Sequence, residues 1–264
     1  MKVFVFDAEL CNGCCNCQLA CKDEHCDNDW TPYAKPQPQT GQFWCRVEEK
    51  ERGQVPKVRV SYKVLLGAQD DAIAAYAPEA VQEREDGLVV LDPAACAGRR
   101  DIAERFEGVY YNEELSICQG CTGCAHLIDD GWKVPRCVEA CGLGALRFGE
   151  LEDFGDELEG ATRLSETSHV YYLNLTRRFL AGEVVDTDAD EVVIDAIVTL
   201  ENPETGELLQ TRTDELGDFW FNDVAPADYN VYFEKEGYLA RMIKASTRAE
   251  DVNVGTIPLY AERV

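Results

Sequence analysis

The chain has 264 residues, 25 Lys and Arg against 50 Asp and Glu, a formal charge of −25, 45% hydrophobic residues and 13 cysteines. That length suits about two domains, and so negative a balance argues against nucleic-acid backbones and anionic membrane surfaces, which both call for a Lys/Arg surplus. No apolar run approaches the roughly 18 residues of a membrane span, and the opening MKVFVF is cut short by Asp7 before a secretory segment can form, so the expectation is a soluble, cytoplasmic protein without an export signal.

In chain order, Val3 to Phe6 reads as a short strand. Six cysteines then crowd into residues 1 to 30, among them Cys11, Cys14, Cys17 and Cys21 in the pattern C-x2-C-x2-C-x3-C. In this run three closely spaced thiolates wrap one face of an iron–sulfur cubane while the fourth faces a different cluster. Gly13 relieves the tight loop, and Gln18 to Asp23 is expected to form a helical turn or two. Thr31 to Gly41, with three prolines, is irregular. Gly87 to Leu91 reads as a second strand.

Five more cysteines lie between residues 118 and 141. Cys121-x2-Cys124, twelve residues, then Cys137-x3-Cys141 complements the first run: three cysteines for one cluster and a fourth free to reach back. The pairing that follows joins Cys11, Cys14 and Cys17 with Cys141, and Cys121, Cys124 and Cys137 with Cys21, giving two 4Fe-4S clusters. Taken alone, the second segment also has spacing for zinc, and Cys118, which extends it to Cys118-x2-Cys121-x2-Cys124, competes with Cys137 as a ligand. Val138 to Leu143 is expected to be helical.

After an acidic stretch from Leu151 to Glu166 the pattern changes to short β-branched and aromatic runs, placing a boundary near 175–180 and domains at 1–178 and 179–264. Strands are expected at Glu191 to Leu200, Glu207 to Thr213, Phe219 to Phe221, Tyr229 to Glu234 and Gly255 to Tyr260, with turns at Asn202 to Glu207, Leu216 to Asp218 and Ala225 to Asp228. About seven short strands in some 85 residues indicate a β-sandwich.

CNGCCNCQLACKDEH and CTGCAHLIDDGWKVPRCVEACGLGAL resemble the first and last cysteine motifs of the iron–sulfur subunits that accompany molybdopterin oxidoreductases of the dimethyl sulfoxide reductase family. CKDEHCDNDW, EREDGLVVLDP and Val170 to Leu175 extend the likeness towards the small subunits of pyrogallol–phloroglucinol transhydroxylases. The resemblance implies the same sharing of two clusters between first and last motifs, a large molybdopterin catalytic subunit as partner in a heterodimer or larger hetero-oligomer, molybdopterin only in that partner, and a hydroxylated aromatic substrate. The middle motifs depart from the family. Residues 63–80 have no cysteine, and around Cys96 the other ligand positions hold Arg99, Ile102 and Phe106, so this half of the scaffold reads as emptied and repacked.

Cys15, Cys26, Cys45, Cys96 and Cys118 fall outside the pairing and read as small buried hydrophobes, a third cluster on Cys26, Cys45, Cys96 and Cys118 being the alternative. His25 and His126 each lie close to a ligand candidate, where a hydrogen bond to sulfur would raise the cluster's potential. Residues 181–260, with TDELGDFWF, resemble transthyretin-like, carboxypeptidase-regulatory or Cna-B sandwiches. The fold class is therefore α+β: a bacterial-type two-cluster ferredoxin-like domain with long irregular insertions, then an all-β sandwich. No catalytic motif is present, so the expectation is a non-catalytic electron-transfer subunit. The alternatives are a structural subunit whose clusters only staple the fold, and a free ferredoxin.

Overall fold

The computed structural model describes residues 1–39, 41–55, 57–70, 72–175 and 178–262. Two compact units emerge, Met1–Glu49 with Tyr62–Leu175 and Lys50–Ser61 with Thr176–Val264. Of the expected join near 175–180, residues 176 and 177 lie outside the described residues. Among the described residues, no helix is long and apolar enough to cross a membrane.

In chain order the first unit begins with β1 (Lys2–Asp7), α1 (Asn16–Cys26) and the paired strands β2 (Cys45–Gln54) and β3 (Lys57–Leu66), whose tip belongs to the second unit. Short elements follow: α2 (Ile73–Tyr76), β4 (Val81–Glu83), β5 (Val89–Leu91), α3 (Arg100–Arg105), β6 (Tyr110–Asn112) and β7 (Ile117–Gln119). Then come α4 (Ala125–Asp129), α5 (Arg136–Glu139), β8 (Leu146–Glu150), α6 (Leu151–Phe154) and β9 (Val170–Leu173). β1 is the centre of a three-stranded sheet, antiparallel to β8 with Phe4 opposite Phe148 and parallel to β9 with Phe4 opposite Val170. Val3 to Phe6 is buried throughout, as an uninterrupted apolar run requires of a strand covered on both faces.

Three differences from the sequence reading have local causes. α1 runs well beyond Gln18 to Asp23. The helix expected over Val138 to Leu143 starts earlier, as α5, because Pro135 (φ −60°) sets up a helix start at Arg136, and it ends before the glycines Gly142 and Gly144. The single strand expected over Glu191 to Leu200 is interrupted at Asp195, whose φ is +58°.

The second unit holds β10 (Arg178–Asp186), β11 (Glu191–Val192), β12 (Ile197–Glu201), β13 (Leu208–Arg212), β14 (Asp218–Val224), β15 (Asp228–Glu234), β16 (Arg241–Ser246) and β17 (Val252–Leu259). They form two four-stranded sheets: β10 pairs with β11, β14 and β17, while the other runs β13-β12-β15-β16. Phe219, Phe221, Tyr229, Val231 and Phe233 alternate inward to make the core, as β-period patterning demands. The tip of the β2–β3 hairpin is locked into this unit by a buried pair. Arg52 Nε and Nη2 donate to Asp251 Oδ2 and Oδ1 at 2.8 and 2.6 Å, and Asp251 Oδ1 also accepts from the Phe179 N–H. Lys57 forms an ion pair with Asp218 nearby, its ammonium 5.8 Å from the Trp220 ring centroid.

Asp70 is fully buried in the first unit, accepting hydrogen bonds from Ser168 Oγ at 2.9 Å and from the Tyr172 hydroxyl. Burial pushes its carboxyl pKa up from 3.8 to about 6. The folded value lies above the unfolded one, so its contribution to stability is full below about pH 4 and is lost as pH rises through about 6. Two pKa units correspond to about 3 kcal/mol. Between about pH 4.5 and 7 the wild type should therefore lose about 2 kcal/mol of stability relative to Asp70→Asn, the rest having gone below pH 4.5. Thermal unfolding midpoints at the two pH values check this, and parallel losses in both proteins would refute it.

Candidate metal centres

The first cysteine loop is shaped by its backbone. Gly13 (φ +72°) and Cys15 (φ +61°) adopt left-handed conformations immediately before α1, and Gly123 (φ +61°) and Cys124 (φ +51°) repeat the pair before α4. At both glycines a Cβ would collide, with the Tyr62 ring at 2.2 Å and with Leu88 Cδ2 at 2.5 Å, so both positions require the absent side chain as well as the positive φ. The result is two similar loops, each delivering cysteines at the start of a helix.

Cys11, Cys14, Cys17 and Cys141 line a single cavity, walled by Phe6, Val64 and Leu146, with Cys15 also on its lining. Cys14 is exposed, Cys11 and Cys141 are half-buried and Cys17 is buried, so this set reaches the surface of its unit. The Leu146 N–H donates to Cys141 Sγ at 3.3 Å. Burial raises the Cys11 thiol pKa, helped by the charges that Cys17, Cys141 and Cys14 would carry.

Cys21, Cys121, Cys124 and Cys137 form a second set in which every residue is buried. Burial pushes the Cys21 thiol well up, and so would negative charge on Cys124, Cys137 and Cys121; Cys121 and Cys124 are raised by the same two causes. The Gly123 N–H donates to Cys121 Sγ at 3.4 Å. Four mutually facing thiolates without water are untenable unless cationic metal takes the place of their protons. An all-sulfur donor set, small-residue loops and backbone N–H groups aimed at sulfur suit an iron–sulfur cubane in both places. Among the described residues, no three His, Cys, Asp or Glu side chains meet around one point as a lone metal ion needs. Cys141 stands in the first cavity, apart from Cys121, Cys124 and Cys137, so the four cysteines of that segment do not share one site.

Of the remaining cysteines, Cys15 shares the first cavity and the others are dispersed. Cys45, fully buried, sits between the sets: its thiol pKa is raised by hydrogen bonds to Cys137 and then Cys17. Cys96 and Cys118 pair with each other in a separate core with Ile73, Ile102 and Val109. There Phe106 packs against that core, and Arg99 pairs with Asp101 at 2.9 Å and with Glu79. Cys26 and Cys15 are half-buried. The place of Cys45 between the sets escaped the sequence reading, because a lone cysteine on a polar strand carries no spacing signal.

His25 is buried, with Nε2 3.7 Å from Cys124 Sγ. Burial, and then the neighbouring His126, lower its pKa to about 3, so it is neutral. His126 Nε2 lies 2.9 Å from Glu24 Oε1, and its ring stacks on Trp30 at 4.2 Å.

Residues 69–151 match the 4Fe-4S dicluster domain, and residues 180–259 the carboxypeptidase regulatory-like domain. The sequence is 32% identical over 253 residues to the pyrogallol hydroxytransferase small subunit of Pelobacter acidigallici, covering 88% of this chain and 90% of that protein. It is 32% identical to an anaerobic dimethyl sulfoxide reductase chain of Escherichia coli K12, over 57% of this chain and 74% of that one. A tetrathionate reductase subunit of Salmonella typhimurium is 25% identical, over 67% and 73%. With its 4Fe-4S domain followed by a β-sandwich, this protein belongs to the family of iron–sulfur electron-transfer subunits that includes the small subunit of pyrogallol hydroxytransferase and its counterpart in anaerobic dimethyl sulfoxide reductase.

Proposed function

We propose that this chain carries two 4Fe-4S clusters, the first on Cys11, Cys14, Cys17 and Cys141 and the second on Cys21, Cys121, Cys124 and Cys137. It would serve in the cytoplasm as the electron-transfer partner of a large molybdopterin subunit acting on a hydroxylated aromatic compound. The observation that carries the reading is that Cys11, Cys14, Cys17 and Cys141 line one cavity, with Cys15 beside them, while Cys21 lies near Cys121, Cys124 and Cys137, so that each proposed quartet draws three cysteines from one motif and one from the other. When bound, such clusters pass single electrons. The chain's own part is to supply thiolates, to exclude water from the second set, and to aim the N–H groups of Gly123 and Leu146 at ligand sulfurs, which favours the more negative, reduced state. Partner and substrate class rest on the likeness to the pyrogallol enzyme's small subunit.

The test is co-expression with a large molybdopterin subunit of this family, followed by purification and reduction with dithionite. The reading expects a molybdenum-containing complex whose iron–sulfur signals appear in electron paramagnetic resonance spectra on reduction. Clusters that no reductant within the range of about −700 to +450 mV can reduce would make them structural staples instead. A stable isolated monomer without molybdenum partner would make the chain a free ferredoxin.

A further inference from the structure

Among the described residues, His25 is the side chain whose nitrogen reaches a sulfur of either cysteine set, and Cys124 Sγ is the only hydrogen-bond partner of its ring. The ring is buried on α1 between Trp44, at 4.8 Å between centroids, and His126, at 5.2 Å. Its Nδ1 is buried without a partner. A phenyl ring in this aromatic pocket would carry no such unpaired nitrogen, so packing alone does not account for an imidazole. A metal-bound Cys124 has lost its proton and can only accept. Whatever its charge, the ring can bond that sulfur only with a hydrogen on Nε2, the nitrogen that faces it.

We propose that His25 is a positioning residue for the second centre: its Nε2–H donates to the Cys124 sulfur, stabilises the reduced state, and makes reducing electrons collect on this buried centre. Burial works the other way, since an added electron is poorly solvated there; the N–H···S bond offsets that penalty at the one ligand it touches. The proposal rests on the two-cluster reading above.

The experiment is a redox titration of the purified complex followed by electron paramagnetic resonance. In His25→Phe, the ratio of reduced to oxidised second centre at a fixed ambient potential should fall about tenfold, equivalent to 59 mV for one electron, while the first centre moves less than about twofold. His25→Gln, which keeps an N–H, should recover part of the shift. An unchanged second centre in a His25→Phe protein that retains its iron overturns the proposal. Pulsed measurements on wild-type protein labelled with 15N-histidine should show one nitrogen coupled to the second centre, kept in His126→Gln. Absence of that coupling overturns the proposal whether or not the variant assembles. Wild-type protein that binds no iron would instead overturn the cluster reading itself.

Discussion

Replacing Cys21 with Ser should abolish the cluster whose other thiolates come from Cys121, Cys124 and Cys137, about a hundred residues away, and spare the one whose loop Cys21 adjoins. The residue leaves the first motif on α1 and turns into the second set, where its neighbours are the three thiols of the last motif. Cys141→Ser should do the reverse, because Cys141 lines the cavity of Cys11, Cys14 and Cys17. In each variant, iron should fall from about eight to about four per chain, since a cubane holds four. The two surviving spectra should also differ, because one centre reaches the surface and the other is enclosed. If each variant lost the cluster nearest in sequence, the pairing would be wrong.

Asp251→Ala should destabilise the second unit by about 3–5 kcal/mol, the usual consequence of removing one partner from a buried ion pair. Both side chains are buried, at 8% and 5% exposure, and the geometry is bidentate, so the buried Arg52 charge would lose its carboxylate. The Phe179 N–H would lose its acceptor as well. For a unit of about 100 residues, the unfolding midpoint should drop on the order of 10–20 °C. The double replacement Arg52→Met with Asp251→Leu should recover much of the loss, as buried pairs often exchange for apolar ones at little cost. A drop of less than about 1 kcal/mol in Asp251→Ala would show that the pair is solvated. Because the tip of the β2–β3 hairpin belongs to this unit, removing residues from about 180 onward would take away the carboxylates of Asp251 and Asp218 that pair with Arg52 and Lys57.

The cysteine spacings were the most readable part of the sequence, because a cluster loop fixes thiolates at x2 and x3 intervals regardless of the surrounding core. Gly13, before Cys14, was readable for a related reason, since a loop that wraps a cluster must turn with positive φ; Gly123 repeats it before Cys124. Sandwich strands showed through Asn-Pro-Glu-Thr-Gly and similar turns. The hairpin β2–β3 did not, since CRVEEKERGQ alternates poorly and its tip is buried by residues some 200 positions later. Cys45, the Asp70–Tyr172 contact and the Arg52–Asp251 pair are tertiary in origin, and no local pattern announces them. His25 was suspect from its nearness to Cys21, yet the sulfur it reaches belongs to the other motif.

Iron and acid-labile sulfide, measured per chain on anaerobically purified protein, test the central claim most directly. Two cubanes require about eight of each. About twelve of each, or about four, would contradict the two sets of four thiols as the complete ligand complement.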